Sequence, residues 1–151
     1  LNYIPGTWLA SIDVAKGASS VVNGYESMTG ALNIELAKPD ISEKMYLNAY
    51  GSSQGRGEIN LNLANKINKN WSVGLLSHVS TLQTKLDQNG DSFLDLPLYT
   101  QFNGINRWKY QSDKMMASFG VKALFEDRTG GQVNFDPATK GAYSGFYGFG
   151  R

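Results

Sequence analysis

The densest run of oxygen ligands in the chain is Asp87-Gln88-Asn89-Gly90-Asp91-Ser92-Phe93-Leu94-Asp95. A hard cation such as Ca2+ is held by about six to eight oxygens from a tightly curled backbone. Asp87, Asn89, Asp91 and Asp95 would supply side-chain ligands, with the Phe93 carbonyl between them. Leu98 stands at the twelfth position, where an EF-hand carries its bidentate acid. The competing reading is an acidic turn solvated at a hairpin tip, and a bound calcium would stiffen a loop rather than perform chemistry. His78 is the only histidine. Ser77, Ser80 and several aspartates accompany it, but nothing in their spacing fixes a serine–histidine–acid relay. The expectation is a protein that is not an enzyme, with no required cofactor.

Composition removes other functions. The 14 basic residues nearly cancel the 13 acidic ones, and no block of like charge appears, so the footprint of a nucleic-acid binder is missing. Without cysteine there is no disulfide framework, thiolate metal site or cysteine nucleophile. No run of about 18 apolar residues is present, which excludes a membrane-spanning helix. Leu1-Asn2-Tyr3-Ile4-Pro5 lacks the basic head and apolar stretch of a signal peptide. A first residue other than Met, and an end at Gly150-Arg151 within a glycine and aromatic stretch, lead to the expectation of a piece of a longer protein.

From about residue 43 the chain alternates with period two, which sends successive side chains to opposite faces of a strand. In Glu58-Ile59-Asn60-Leu61-Asn62-Leu63 one face is apolar and the other polar. Met45 to Tyr50 alternates likewise, and Ser53 to Gly57 has the composition of a hairpin turn. Asn68-Lys69-Asn70 turns the chain into a third strand, Trp71 to Val79. A fourth runs from Thr100 to Tyr110, with Phe102, Trp108 and Tyr110 opposite Asn103, Arg107 and Lys109. Ser112-Asp113-Lys114 leads to a fifth, with Met115, Ala117, Phe119, Val121, Ala123 and Phe125 opposite Ser118, Gly120, Lys122 and Glu126.

Soluble strands most often run about 5 to 6 residues, whereas a tilted strand crossing a bilayer needs roughly 9 to 11. Several of these strands have the longer span. Trp71, Trp108 and Tyr110 fall at strand ends beside the short turns, where an interfacial aromatic girdle sits. The opposite ends carry longer loops, around Asp87 to Pro97 and Gln132 to Gly150.

Residues 11 to 38 differ. In Ser11-Ile12-Asp13-Val14-Ala15, Ile12 and Val14 mark a short strand, with Lys16-Gly17 a turn and Ser19 to Val22 a single helical turn. Gly24 and Gly30 are permissive backbone positions, and Leu32-Asn33-Ile34-Glu35-Leu36 is another strand. This spacing resembles the end of the plug domain of TonB-dependent outer-membrane receptors, with Lys16, Gly17, Gly24, Gly30, Asn33 and Ile34 at the motif positions. Ser11 stands where that family commonly has a basic residue, and Ala18 where it commonly has proline. The motif covers about a fifth of the chain, and the strands that should follow it do so directly after Lys38-Pro39-Asp40.

The resemblance implies an all-β chain: the C-terminal part of a plug over residues 1–40, then an antiparallel transmembrane β-barrel segment over 41–151. That segment would hold about five strands of a barrel of about 22. It further implies a Gram-negative outer-membrane location, with contacts to lipid, to the remainder of the receptor and to a nutrient ligand. The ligand would be a siderophore, haem, cobalamin, metal complex or glycan. The partner TonB energy transducer would grip a box outside this chain. Arg107, Lys109, Lys122 and Glu126 would then face the plug inside the barrel, and Tyr143 to Phe149 would pack against neighbouring loops. The rival from another class is a soluble all-β binding or adhesion module, whose apolar face would be buried against a second sheet. An outer-membrane hydrolase would require His78 beside a serine and an acid.

Overall fold

The computed structural model describes residues 3–17, 30–138 and 145–150. These residues form an all-β structure of two antiparallel sheets, with a single 3-10 turn at Gly6–Trp8. Strands β1 (Leu9–Lys16) and β2 (Gly30–Leu36) pair in the register Ile12↔Ile34 and Lys16↔Gly30. The helical turn expected over Ser19 to Val22, and Gly24, lie outside the described residues.

The second sheet has the order β3-β4-β5-β6-β7-β8, each strand antiparallel to the one before. Its strands are β3 (Met45–Gly51), β4 (Arg56–Lys66), β5 (Trp71–Leu82), β6 (Leu98–Gln111), β7 (Met116–Gly131) and β8 (Gly148–Gly150). Local chemistry sets its short turns. The Asn68 side-chain oxygen accepts the backbone N–H groups of Asn70 and Trp71, both at 2.9 Å, an arrangement that reverses the chain without help from distant residues. Ser112 does the same work before β7, accepting the Met115 N–H at 3.2 Å.

Several boundaries differ from those read in the sequence. The sheet starts at Met45, later than Glu43, and the first hairpin turn is narrower, because Arg56 and Gly57 already pair within β4. The fifth sheet strand runs past Phe125 to Gly131. Apolar alternation stops at Phe125, while backbone pairing with Tyr99, Thr100 and Leu98 carries the strand onward. A short strand, β8, occupies part of the expected Gln132–Gly150 loop and pairs Gly131↔Gly148.

Register aligns like with like across the sheet. Asn60, His78 and Asn103 form one cross-strand row on the polar face, and Ile59, Val79, Phe102 and Phe125 form one on the apolar face. Burial is the reverse of a soluble sheet: Asn103 is 0% exposed, whereas Val121 is 72% exposed. The polar face is covered by the chain's own N-terminal segments, and the apolar face is covered by nothing among the described residues.

Candidate functional site

Two stretches of the N-terminal region cross the polar face. The first is 3–8, which has no strand periodicity and is held by side chains that long strands β4, β6 and β7 present inward. Asn62 Nδ2 donates to the Thr7 carbonyl at 2.8 Å, and the Thr7 hydroxyl donates to Asn60 Oδ1 at 3.0 Å. The Tyr3 carbonyl accepts from Asn103 Nδ2 and, at 3.3 Å, from Lys122 Nζ. The Tyr3 hydroxyl donates to Glu126 Oε2 at 2.9 Å. Trp8 seals the segment at 1% exposure.

The second stretch follows β2. Arg107 Nη1 donates to the carbonyls of Leu36 at 3.1 Å and Ala37 at 2.5 Å, and Lys109 Nζ lies 2.6 Å from Asp40 Oδ2. Partial burial pushes the Asp40 carboxyl up, but the hydrogen bond from Lys109, a backbone hydrogen bond and the charges of Lys109 and Lys38 together hold it below its ordinary value. The Ala37 N–H donates to the Trp8 carbonyl at 2.8 Å, which joins the two stretches. Arg107, Lys109, Lys122 and Glu126 thus all touch residues 3–40.

Between the 3–8 stretch and the sheet lies an open cavity of about 800 Å³, lined by Tyr3, Tyr50, Arg56, Glu58, His78, Tyr99, Gln101 and Arg128 among others. His78 Nδ1 is 2.8 Å from Asn60 Oδ1, whose amide in turn donates to Asn48 at 3.3 Å. Ser77 sits on the other face of β5 and donates its hydroxyl to the Leu61 carbonyl at 2.8 Å. The histidine is placed in an amide network, with Ser77 on the other face, while Ser80 and Glu58 line the same cavity as His78 without a hydrogen bond to it. No family model, curated protein or solved structure matches the chain.

The apolar face has its own order. At the short-turn end Trp71, Tyr110, Trp108 and Phe119 cluster, with Trp71 5.1 Å from Tyr110 between ring centroids and Trp108 stacked on Phe119 at 6.2 Å. At the other end the row Gly57, Thr81, Thr100 and Asp127 closes the apolar zone. From Trp71 to Val79 is eight residue steps, about 27 Å of strand at about 3.4 Å per residue. Two polar side chains within this zone, Ser77 and Asn106, are satisfied internally. Ser77 bonds Leu61 O, and Asn106 accepts the Trp108 indole N–H at 2.5 Å and donates to the Gly74 carbonyl at 3.4 Å.

The remaining residues singled out in the sequence fall in two places. Lys16, Gly17, Gly30, Asn33 and Ile34 belong to the β1–β2 hairpin, while Gly24 lies outside the described residues. Gly30 has φ +135°, and a Cβ there would meet the Ala15 carbonyl at 2.7 Å, so the position accepts no side chain. Asn33 Nδ2 donates to Asp13 at 3.4 Å. In the 87–95 loop the carboxylates act as backbone acceptors. Asp87 takes the N–H groups of Gly90, Asp91 and Ser92 at 2.8, 3.1 and 3.0 Å, Asp91 that of Phe93 at 2.8 Å, and Asp95 that of Gln88 at 2.9 Å. The Asn89 amide donates to Asp91 at 3.0 Å. Among the described residues no three His, Asp or Glu side chains form a metal-holding group.

Sequence reasoning missed Arg56 and Arg128. Parity was the signal available: Arg56 shares the face of Glu58 and Asn60, and Arg128 that of Glu126.

Proposed function

We propose that the chain is part of a TonB-dependent outer-membrane receptor for energy-coupled uptake of a scarce nutrient, with residues 1–40 as the end of the plug and 41–151 as the first barrel strands. The observation that carries the reading is the inverted polarity of the main sheet. Its polar face is buried under residues 3–8 and 36–42, and its apolar face is exposed over about 27 Å of strand, edged by Trp71, Trp108 and Tyr110, a length that would stand about 20 Å tall at a barrel-strand tilt of about 40°. In water such a face is unfavourable at about 25 cal/mol per Å² of apolar surface, whereas in lipid it is the required surface. Internal bonding of Ser77 and Asn106 supports the same reading, because no water is present in a bilayer core to satisfy them. The motif around Lys16, Gly30, Asn33 and Ile34 supplies the family, and the contacts of Arg107 and Lys109 with residues 36–40 fit a plug held inside a wall.

In this reading the transducer draws on residues upstream of Leu1, and movement of the covering stretches clears a path along the polar face. Size-exclusion chromatography with light scattering, together with circular dichroism, tests it. The expected result is aggregation in plain buffer and a folded, monodisperse β-rich species in detergent. A monodisperse folded monomer without detergent would replace it with the soluble binding module.

A further inference from the structure

At the long-loop end of the polar face, β4 and β7 carry the same device although two strands separate them. Arg56 Nη2 pairs with Glu58 Oε1 on β4, and Arg128 Nη2 pairs with Glu126 Oε1 on β7. Pairing sets both in register: Arg56, Leu82, Tyr99 and Arg128 form one cross-strand row, and Glu58, Ser80, Gln101 and Glu126 the next. In each pair the acid is sunk and the base is not. Both glutamate side chains are 17% exposed, against 51% for Arg56 and 42% for Arg128. Glu126 is further occupied by the Tyr3 hydroxyl, and Arg128 lies over the Tyr99 ring at 5.7 Å from its centroid.

An ion pair built this way orients an arginine. The glutamate holds Nη2 of each planar guanidinium, both arginines line the cavity, and guanidinium donors not used in such a pair are of the kind that matches a carboxylate or phosphate. Three strand spacings separate the two arginines, about 14 Å along the sheet. A small anion reaches one of them, and a ligand with two separated oxyanion groups reaches both.

We propose that this cavity binds a polyanionic ligand through Arg56 and Arg128, with Tyr50 and Tyr99 at its sides. The ligand class is a polycarboxylate or polyphosphate, not a neutral sugar. The inference rests on the uptake reading only in treating that ligand as cargo. Calorimetry on the whole chain in neutral detergent at low ionic strength tests it, with citrate and inositol hexakisphosphate as the two oxyanion probes and maltotriose as the neutral one. Binding of at least one polyanion is expected, and comparison of the two says which oxyanion is preferred. Arg56→Gln and Arg128→Gln should each weaken it about tenfold, the scale of one charge-assisted hydrogen bond. Arg128→Lys, which keeps the charge but loses the fork, should weaken it less, and Lys69→Gln should leave it unchanged. Failure of both polyanions to bind at millimolar concentration, equal binding of maltotriose, or full binding by the double Gln variant with unaltered circular dichroism would overturn the proposal. A chain that folds only in detergent yet binds neither polyanion leaves the uptake reading in place. A chain that folds in plain buffer and binds one removes that reading and keeps this site.

Discussion

Pro39 packs directly on Gly74 of β5: a Cβ built on the glycine would stand 3.1 Å from the proline Cβ and 3.5 Å from the Leu63 carbonyl. The stretch after β2 lies flat on the sheet because this residue has no side chain. Gly74→Val should lift residues 37–42 and destabilise the protein by about 1–3 kcal/mol, the usual cost of overpacking. Urea denaturation measures the loss, and faster proteolytic cleavage within 37–42 locates it. Gly74→Ala should fall between the two.

Acid should loosen the same stretch. The Asp40 carboxyl is held below its ordinary value of about 3.9, so its pairing with Lys109 stabilises the folded state fully above that pH. That contribution is lost as pH falls through the lower folded value. With both side chains partly exposed, the pair contributes about 0.2–1 kcal/mol. Cleavage within 37–42 should rise below about pH 4 in the wild type, while Asp40→Asn should show the higher rate at neutral pH and no acid step.

Val121 distinguishes the two solvents. It is 72% exposed at mid-height of the apolar face. On a water-facing surface Val121→Arg changes stability by no more than about 0.5 kcal/mol. At the centre of a bilayer the same charge costs about 2–4 kcal/mol. Refolding into liposomes across a urea series should therefore show the larger loss, whereas Lys122→Gln, on the opposite face, should show much less.

In the 87–95 loop the Asp87 carboxylate is committed to three backbone N–H groups. Asp87→Ala should open the loop to protease at low concentration. EDTA should leave the wild-type cleavage pattern unchanged, since the loop closes on its own donors. Protection by millimolar calcium, reversed by EDTA, would instead assign these oxygens to a metal.

Face assignment was legible in the sequence because side-chain parity survives any error in strand length: Asn60, Asn103, Arg107 and Lys122 sit on the face their alternation assigns. Strand ends were less legible. Asp127 and Thr129 occupy apolar-face positions beyond the apolar zone, so composition at 127–131 reads as loop while backbone pairing continues. Residues 3–8 were opaque for another reason. Thr7 reaches Asn60 and Tyr3 reaches Glu126, contacts 53 and 123 residues apart that no local pattern encodes. The paired arginines needed both parity and register before they appeared as one site.

Tyr3 touches β6 and β7, and Thr7 touches β4, so the earliest residues of the chain bind to positions contributed by much later ones. Their hydrogen-bonding partners do not exist as a surface until the hairpins have joined. Closing such large loops is entropically slow, and it comes after the local turns at 68–70 and 112–115 have formed. Residues 3–8 should therefore dock late in folding, which would leave a row of amides at Asn60, Asn62 and Asn103 open in the meantime to whatever else is present in the compartment where the sheet assembles.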